Sequence, residues 1–243
     1  MILFYYTSLR HGLSAIRERR LKVSRFDTLN DAYDHVNIFV READDVEEHR
    51  RIKQQVLDQE GVICMSRTYE QPLLWGHYAD NHRGMCLVFE VPEDNQWRDI
   101  DYVEHRPKVR RFGVNRFRDL SKSQLLDIAH TKYDGWEYEE EVRRLVFLDD
   151  YDFADDIHYQ EFDDFMRFRG ALFGSRCTIS QKQLAALLAF DEGFHYSFTK
   201  PAGAAFRVRL DTDENRKRHL AENRWIRRRP NGELILDGRR VVW

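Results

Sequence analysis

Cysteine and proline are both scarce in this chain, at 3 and 5 among 243 residues. The cysteines, Cys64, Cys86 and Cys177, are too few and too scattered for a disulfide framework or a zinc site, and they suit a reducing compartment. Histidine does not fill that gap. His77 and His82, at i and i+5, do not share a helix face, and no cysteine stands beside them at zinc spacing, so no metal site is expected. No run approaches the roughly 18 apolar residues that a membrane-spanning helix needs. The opening Met-Ile-Leu-Phe-Tyr-Tyr-Thr has no basic segment and no long apolar run, so a secretory signal is not expected either. Charge of one sign is not in excess: 39 basic against 42 acidic residues give −3, which argues for neither nucleic acid nor membrane as partner. These absences together give the expectation of a cytoplasmic protein without a membrane partner.

What is present is core-forming material. Apolar residues make up 42% of the chain and aromatics 13%, which excludes a disordered or collagen-like chain. The length suits one domain or two small ones. With 12 glycines and no repeat, no boundary stands out, so residues 1–243 read as one domain, with 195–243 as a basic C-terminal extension carrying a hairpin.

Periodicity assigns strands to residues 2–6, 62–66, 85–91, 97–103, 139–148 and 171–173, with a short alternating segment at 21–26. Helices are expected at 8–20, 42–60, 121–133 and 180–190, the last two with serine caps and the second closed by Gly61, and residues 72–80 read as a short aromatic helix or turn. Residues 27–31 read as a turn, because Asx and hydroxyl side chains bond their own backbone there, and 106–118 as a basic loop rich in aromatics. Two further strand signals lie at 205–210 and 234–242, the second split by the hairpin dipeptide Asp237-Gly238. Strands and helices without regular βαβ alternation point to an α+β protein.

Charge is uneven along the chain. Residues 134–164 hold thirteen acidic and two basic side chains, and residues 207–243 eleven basic and six acidic ones. Such runs are usually solvated faces. The alternative is that the tail, chiefly Arg224, Arg227, Arg228 and Arg229, attracts a polyanion.

Three segments are dense in polar and aromatic residues. Phe4-Tyr5-Tyr6-Thr7-Ser8 is a strand ending in hydroxyls at a helix start, where free N–H groups suit a phosphate or carboxylate. Its plainer reading is an edge strand and an N-cap. The second segment joins Cys64-Met65-Ser66 to residues 74–85, in which Trp75, His77, Tyr78, His82 and Arg83 lie within nine residues. On a helix Trp75 and Tyr78 share a face and can stack on a flat heterocycle; the alternative is an aromatic plug in the core. In the third segment, residues 131–143, a strand puts Glu139, Glu141 and Arg143 on one face. A carboxylate pair with one raised pKa can serve as acid, base or cation stabiliser, and a structural Glu–Arg ladder fits the same spacing.

These stretches together resemble the bacterial family called domain of unknown function 2971. The resemblance rests on residues 3–7, on 21–26 with Leu29, Asn30 and Asp31, on 62–66, on 74–84 running to Phe89, on Tyr102, and on Lys132 with Trp136, Glu139, Glu141 and Arg143. It covers roughly residues 2–190, and its blocks 75–84 and 136–143 are the most specific. Ala32 stands where the family usually has proline.

The order of these parts is similar to that in ADP-ribosyltransferases. That resemblance implies two small, mostly antiparallel sheets with helices packed around them, and NAD as substrate. It implies Glu141 as catalytic carboxylate with Glu139 as helper, and Tyr6, Thr7, Ser66, Trp75, His77, Tyr78, His82, Arg83 and Arg143 as NAD-binding residues. Tyr6 stands where such enzymes carry a basic residue. By analogy the acceptor is a protein or nucleic acid, the role a toxin or anti-phage effector, and a further partner an antitoxin or inhibitor. Two other functions stay open: a non-enzymatic module binding nucleotide or nucleic acid, and a carboxylate-dependent hydrolase.

Overall fold

The computed structural model describes residues 1–34, 38–40, 43–94, 96–150, 152–154, 157–163, 165–190, 195–211, 226–228, 234–236 and 239–241. In chain order its elements are β1 (Ile2–Thr7), α1 (Leu9–Glu18), β2 (Arg20–Lys22), β3 (Ser24–Arg25), α2 (Ala43–Gln59), β4 (Glu60–Ser66), α3 (Pro72–His77) and β5 (Met85–Glu90). There follow β6 (Arg98–Asp99), β7 (Asp101–Val103), α4 (Lys122–Ala129), β8 (Thr131–Tyr133), β9 (Glu141–Phe147), β10 (Asp152–Ala154) and β11 (Ile157–Glu161). The last are β12 (Arg167–Phe173), α5 (Gln181–Phe190), β13 (Tyr196–Pro201), β14 (Val208–Leu210), β15 (Ile226–Arg228), β16 (Leu234–Leu236) and β17 (Arg239–Val241). The protein is α+β, and no helix among the described residues is long and apolar enough to cross a membrane.

Contacts divide the chain into two compact units, one of residues 1, 20–67 and 91–165, the other of 2–19, 68–90 and 166–243. The second unit is built on the strand order β14-β13-β12-β5-β1, antiparallel except where β12 runs parallel to β13. Met85 to Phe89 of β5 are all buried, as a strand flanked by β1 and β12 and covered on both faces must be. Trp75, Ala79, Cys86, Val88, Leu172 and Val208 form one core cluster here, with Phe4, Tyr6, Tyr69 and Leu210 packed against it. Ser8 starts α1 by accepting the His11 N–H on its hydroxyl, and Arg19, at φ 53, ends it.

In the first unit β4 pairs antiparallel with β9, from Glu60 opposite Phe147 to Ser66 opposite Glu141, with β6 on the far side of β9 and β3 on β4. Strands β10, β11 and β2 form a second sheet, and β7 runs parallel to β8. A separate core of Ile38, Phe117 and Ile128 lies under α2 and α4 residues such as Ile52, Val56 and Leu125. A complete capping box between Ser121 and Gln124 opens α4.

Several expectations are corrected. The helix expected over 121–133 stops at Ala129, where Thr131 Oγ1 donates to the Asp127 carbonyl at 2.9 Å and Thr131 to Tyr133 turn into β8. The strand expected from residue 139 begins at Glu141: residues Asp134–Glu139 form a 3₁₀ turn, and Glu140 takes a left-handed conformation at φ 44. The edge strand expected over 97–103 is broken at Ile100 into β6 and β7. The short strand at 171–173 is the end of the longer β12, which carries a bulge between Phe168 and Gly170. Strands β16 and β17 pair with Leu236 opposite Arg239, the spacing of a two-residue hairpin; Asp237 and Gly238 lie outside the described residues.

Candidate functional site

Five charged side chains meet inside the first unit: Asp34, Lys132, Glu139, Glu141 and Arg143. They arrive on four pieces of chain, each for a local reason. The buried face of β8 carries Lys132, the 3₁₀ turn ends with Glu139 facing inward, and β9 brings Glu141 and Arg143 two residues apart on one face. Asp34 comes from the loop after β3. Strand β4 lies alongside, with Ser66 opposite Glu141 and Cys64 opposite Arg143.

Lys132 Nζ donates to Glu139 Oε2 at 2.6 Å and to Glu141 Oε2 at 2.9 Å, and stands 3.7 Å from Asp34 Oδ2. Arg143 Nε donates to Glu141 Oε1 at 2.6 Å and Nη2 to Glu141 Oε2 at 3.0 Å. Its Nη1 donates to Asp34 Oδ1 at 2.6 Å, and Nη2 to Asp34 Oδ2. The planar guanidinium thus holds two carboxylates through two-point contacts, a match that an ammonium cannot make. Two backbone anchors fix the turn: Ser66 Oγ donates to the Glu139 carbonyl at 2.7 Å, and the Glu141 N–H donates to Tyr102 Oη at 2.9 Å. The Trp136 ring lies 5.1 Å from Lys132 Nζ.

All five side chains are buried, Arg143 completely. Burial alone would raise the Glu141 pKa, but the Arg143 and Lys132 charges outweigh it and push it down to about 2. Burial would likewise lower Lys132, and the charges of Glu141 and Glu139 instead hold its pKa above the ordinary value. Burial, and then the Glu141 charge, pushes the Cys64 thiol well up, so Cys64 is no thiolate nucleophile. Three carboxylates face two cations, which leaves one formal negative charge unmatched within the quintet.

Of the residues that the sequence marks for catalysis or NAD, Ser66, Glu139, Glu141 and Arg143 are in this cluster. Tyr6, Thr7, Trp75, His77, Tyr78, His82 and Arg83 belong to the second unit. There Trp75 is a core residue with 0% exposure, its Nε1 donating to the Tyr69 carbonyl at 2.7 Å and its ring meeting Tyr6 edge-on at 5.2 Å. The expected stacking of a ligand on Trp75 is therefore corrected: both ring faces are packed, because α3 turns Trp75 inward and leaves Tyr78, its C-cap, half-buried. The Tyr6 hydroxyl donates to the Thr68 carbonyl at 2.8 Å, and Thr7 is buried. His77 and Arg83 are exposed. His82 is half-buried, its pKa lowered by burial and then by Arg176, and it ends three successive left-handed residues, Asp80, Asn81 and His82.

Sequence reasoning did not single out Asp34, Lys132 or Tyr102 for the site. Lys132 and Tyr102 stood in the blocks of the family resemblance; nothing in the sequence marks Asp34, which reaches Arg143 only through the fold. Arg224 and Arg229 of the expected basic tail lie outside the described residues, and the backbones of Arg227 and Arg228 lie in β15. Among the described residues no group of His, Cys, Asp or Glu is arranged to hold a metal ion. Comparisons with protein-family models, with characterised proteins and with solved structures yield no match for this chain.

Proposed function

We propose that the chain is a NAD-dependent ADP-ribosyltransferase with Glu141 as its catalytic carboxylate and Glu139 as helper, on the two-sheet fold of that class. The observation that carries this reading is electrostatic: Glu141 is held ionised in a buried cluster whose formal charge is negative by one. In the reaction the C1′–N bond of NAD breaks and nicotinamide leaves with the bonding pair. A nucleophilic oxygen or nitrogen of the acceptor bonds to C1′ and gives up its proton to solvent. The ribose passes through an oxocarbenium-like state, which a fixed negative charge in a site shielded from water stabilises. Trp136 and Tyr138, with ring centroids 6.1 Å apart and Trp136 5.1 Å from Lys132 Nζ, take the stacking role that Trp75 cannot. The acceptor is a protein or nucleic acid, and the role that of a cytoplasmic toxin or anti-phage effector restrained by an antitoxin.

A second reading is favoured by the completeness of the pairing. Both Glu141 oxygens are already bonded to cations, which suits a structural ion network that fastens β8, the turn, β9 and the Asp34 loop. One experiment separates the two: labelled NAD incubated with the protein and cell lysate, using wild type and Glu141→Gln. Transfer of label that falls by about 10²–10³ in the variant, with stability changed by less than about 1 kcal/mol, supports catalysis. Loss of the fold in the variant supports the network, and no label transfer by wild type removes the transferase reading.

A further inference from the structure

The chain has a second dense positive segment besides the tail. Residues 106–118 carry six basic side chains, Arg106, Lys108, Arg110, Arg111, Arg116 and Arg118, and no acidic one, in a protein whose net charge is −3. The segment is built as a rigid cover. Val109–Phe112 and Phe117–Asp119 are 3₁₀ turns, in which residues three apart lie on one side. In the first turn Val109 and Phe112 face inward, and in and after the second Phe117 and Leu120 do; all four belong to the core cluster around Ile38 and Ile128. Both turns therefore roof the same core, and their remaining side chains, Arg110, Arg111, Arg118 and the exposed acidic Asp119, form one outer surface. Gln124 Nε2 fastens the first turn by donating to the Phe112 carbonyl at 2.6 Å.

Two of the six cations serve the structure. Arg106 donates to the Ile38 carbonyl at 2.6 Å, and Arg111 pairs with Asp101 at 2.5 Å. Lys108, Arg110, Arg116 and Arg118 are exposed, and no acidic partner meets them among the described residues. Four like charges held on one rigid surface repel one another, a cost that a bound polyanion removes.

We infer that this surface binds the phosphate backbone of double-stranded nucleic acid, without reading its sequence. The aromatics of the segment decide against single strands, because Phe117 is fully buried and Phe112 packs into the core, leaving no platform for unstacked bases. No large apolar side chain of the segment is exposed to enter a lipid surface or an amphipathic peptide; Gly113 and Asn115 fill the exposed space between the turns. One exposed aromatic, Phe39, lies beside the segment through its backbone bridge to Lys108, too little for a row of stacked bases; charge is the main feature, and contacts made by charge to phosphates release counterions. This inference is independent of NAD chemistry.

The test is fluorescence anisotropy of a labelled 20-base-pair duplex of arbitrary sequence, titrated with the full-length chain at several salt concentrations. Four phosphate contacts give a slope of log K against log salt of roughly −3 to −4. The fourfold variant K108Q/R110Q/R116Q/R118Q should weaken low-salt binding by at least about tenfold and flatten that slope toward zero, while near-ultraviolet circular dichroism shows the native fold. Because all four side chains are exposed, their exchange leaves the core intact; should the fourfold variant still fail to fold, the pairs K108Q/R110Q and R116Q/R118Q each should lower the slope by about half. No duplex binding by wild type at low salt overturns the inference. So does an unchanged slope in the folded variants, or tighter binding to anionic phospholipid vesicles or a poly-glutamate peptide than to the duplex.

Discussion

Arg143 holds Asp34 through both terminal guanidinium nitrogens, across 109 residues of sequence and in a place where neither side chain sees water. The contact closes the charged quintet: without Asp34, the terminal guanidinium nitrogens would keep only the Ala129 carbonyl, 3.3 Å from Nη1, and Glu141 Oε2, 3.0 Å from Nη2. A buried cation that loses a partner costs far more than an exposed one, because water cannot replace the bond.

Replacing Asp34 by Asn keeps the shape and removes the charge. Breaking a buried pair in this way should destabilise the protein by about 3 kcal/mol, the low end for such changes because Glu141 still holds Arg143. Urea unfolding with an unchanged m-value measures it. A loss below about 1 kcal/mol would mean that Glu141 alone satisfies the guanidinium.

Acid should unfold the protein partly through Glu141. Its pKa falls from 4.5 to about 2 on folding, so folding favours the ionised form. The resulting stabilisation is complete above the unfolded value of 4.5 and is lost as pH falls through that value toward 2, by about 3 kcal/mol in all. Urea midpoints measured from pH 7 down to pH 2 should show this slope in wild type and a shallower one in Glu141→Gln. Equal slopes in the two proteins would show that Glu141 is not a group whose protonation drives acid unfolding.

Trp75→Ala should cost about 3–5 kcal/mol, as expected for emptying a large core site. Trp75→Phe should cost less, since it keeps most of the packing and loses the bond to the Tyr69 carbonyl. Thermal melts of both variants provide the measurement. Unchanged melting temperature in Trp75→Ala would contradict the buried placement.

Gly84 leaves no room for a side chain. A Cβ there would stand 2.2 Å from the Thr7 carbonyl oxygen and 2.8 Å from that of Ala79. Since both neighbours are backbone, Gly84→Ala should lower stability by about 2 kcal/mol or more or reduce soluble yield, whereas Gly76→Ala, with open space around it, should be tolerated. Parallel expression and melting of the two variants distinguishes them.

Much of the local structure was legible in the chain. The Ser8 and Ser121 caps, the unbroken apolar run of β5 and the apolar strand at 62–66 each carry their own signal in a few residues. The strand pattern puts Glu139 on one face with Glu141, and the fold does bring the two together, but through a 3₁₀ turn and a left-handed Glu140 rather than along a strand. Trp75 shows the opposite failure. An aromatic beside histidines and an arginine reads as a ligand platform, and only packing reveals that its ring is surrounded. The strand β10, three residues long, is too short to carry a periodicity of its own, whereas β11 and β13 do alternate, as Ile157-His158-Tyr159-Gln160 and Tyr196-Ser197-Phe198-Thr199, a signal in the sequence that lies outside the expected strands.

The sequence alone determined the local charge pattern of residues 132–143. Glu141 and Arg143 at alternate positions, with Lys132 shortly before, set a local pattern that side-chain alternation along β9 makes meaningful. It also determined the basic run at 106–118, since composition is a property of the chain itself. The tertiary structure decided everything that depends on distance between remote segments: that Asp34 completes the cluster, that Trp75 is core, and that the basic run is a roof over apolar side chains rather than a loose loop. The reason is physical. Hydrogen-bonded turns and side-chain periodicity act over a few residues, whereas burial, and the pKa changes that follow from it, are set by atoms that the chain brings together from a hundred residues away.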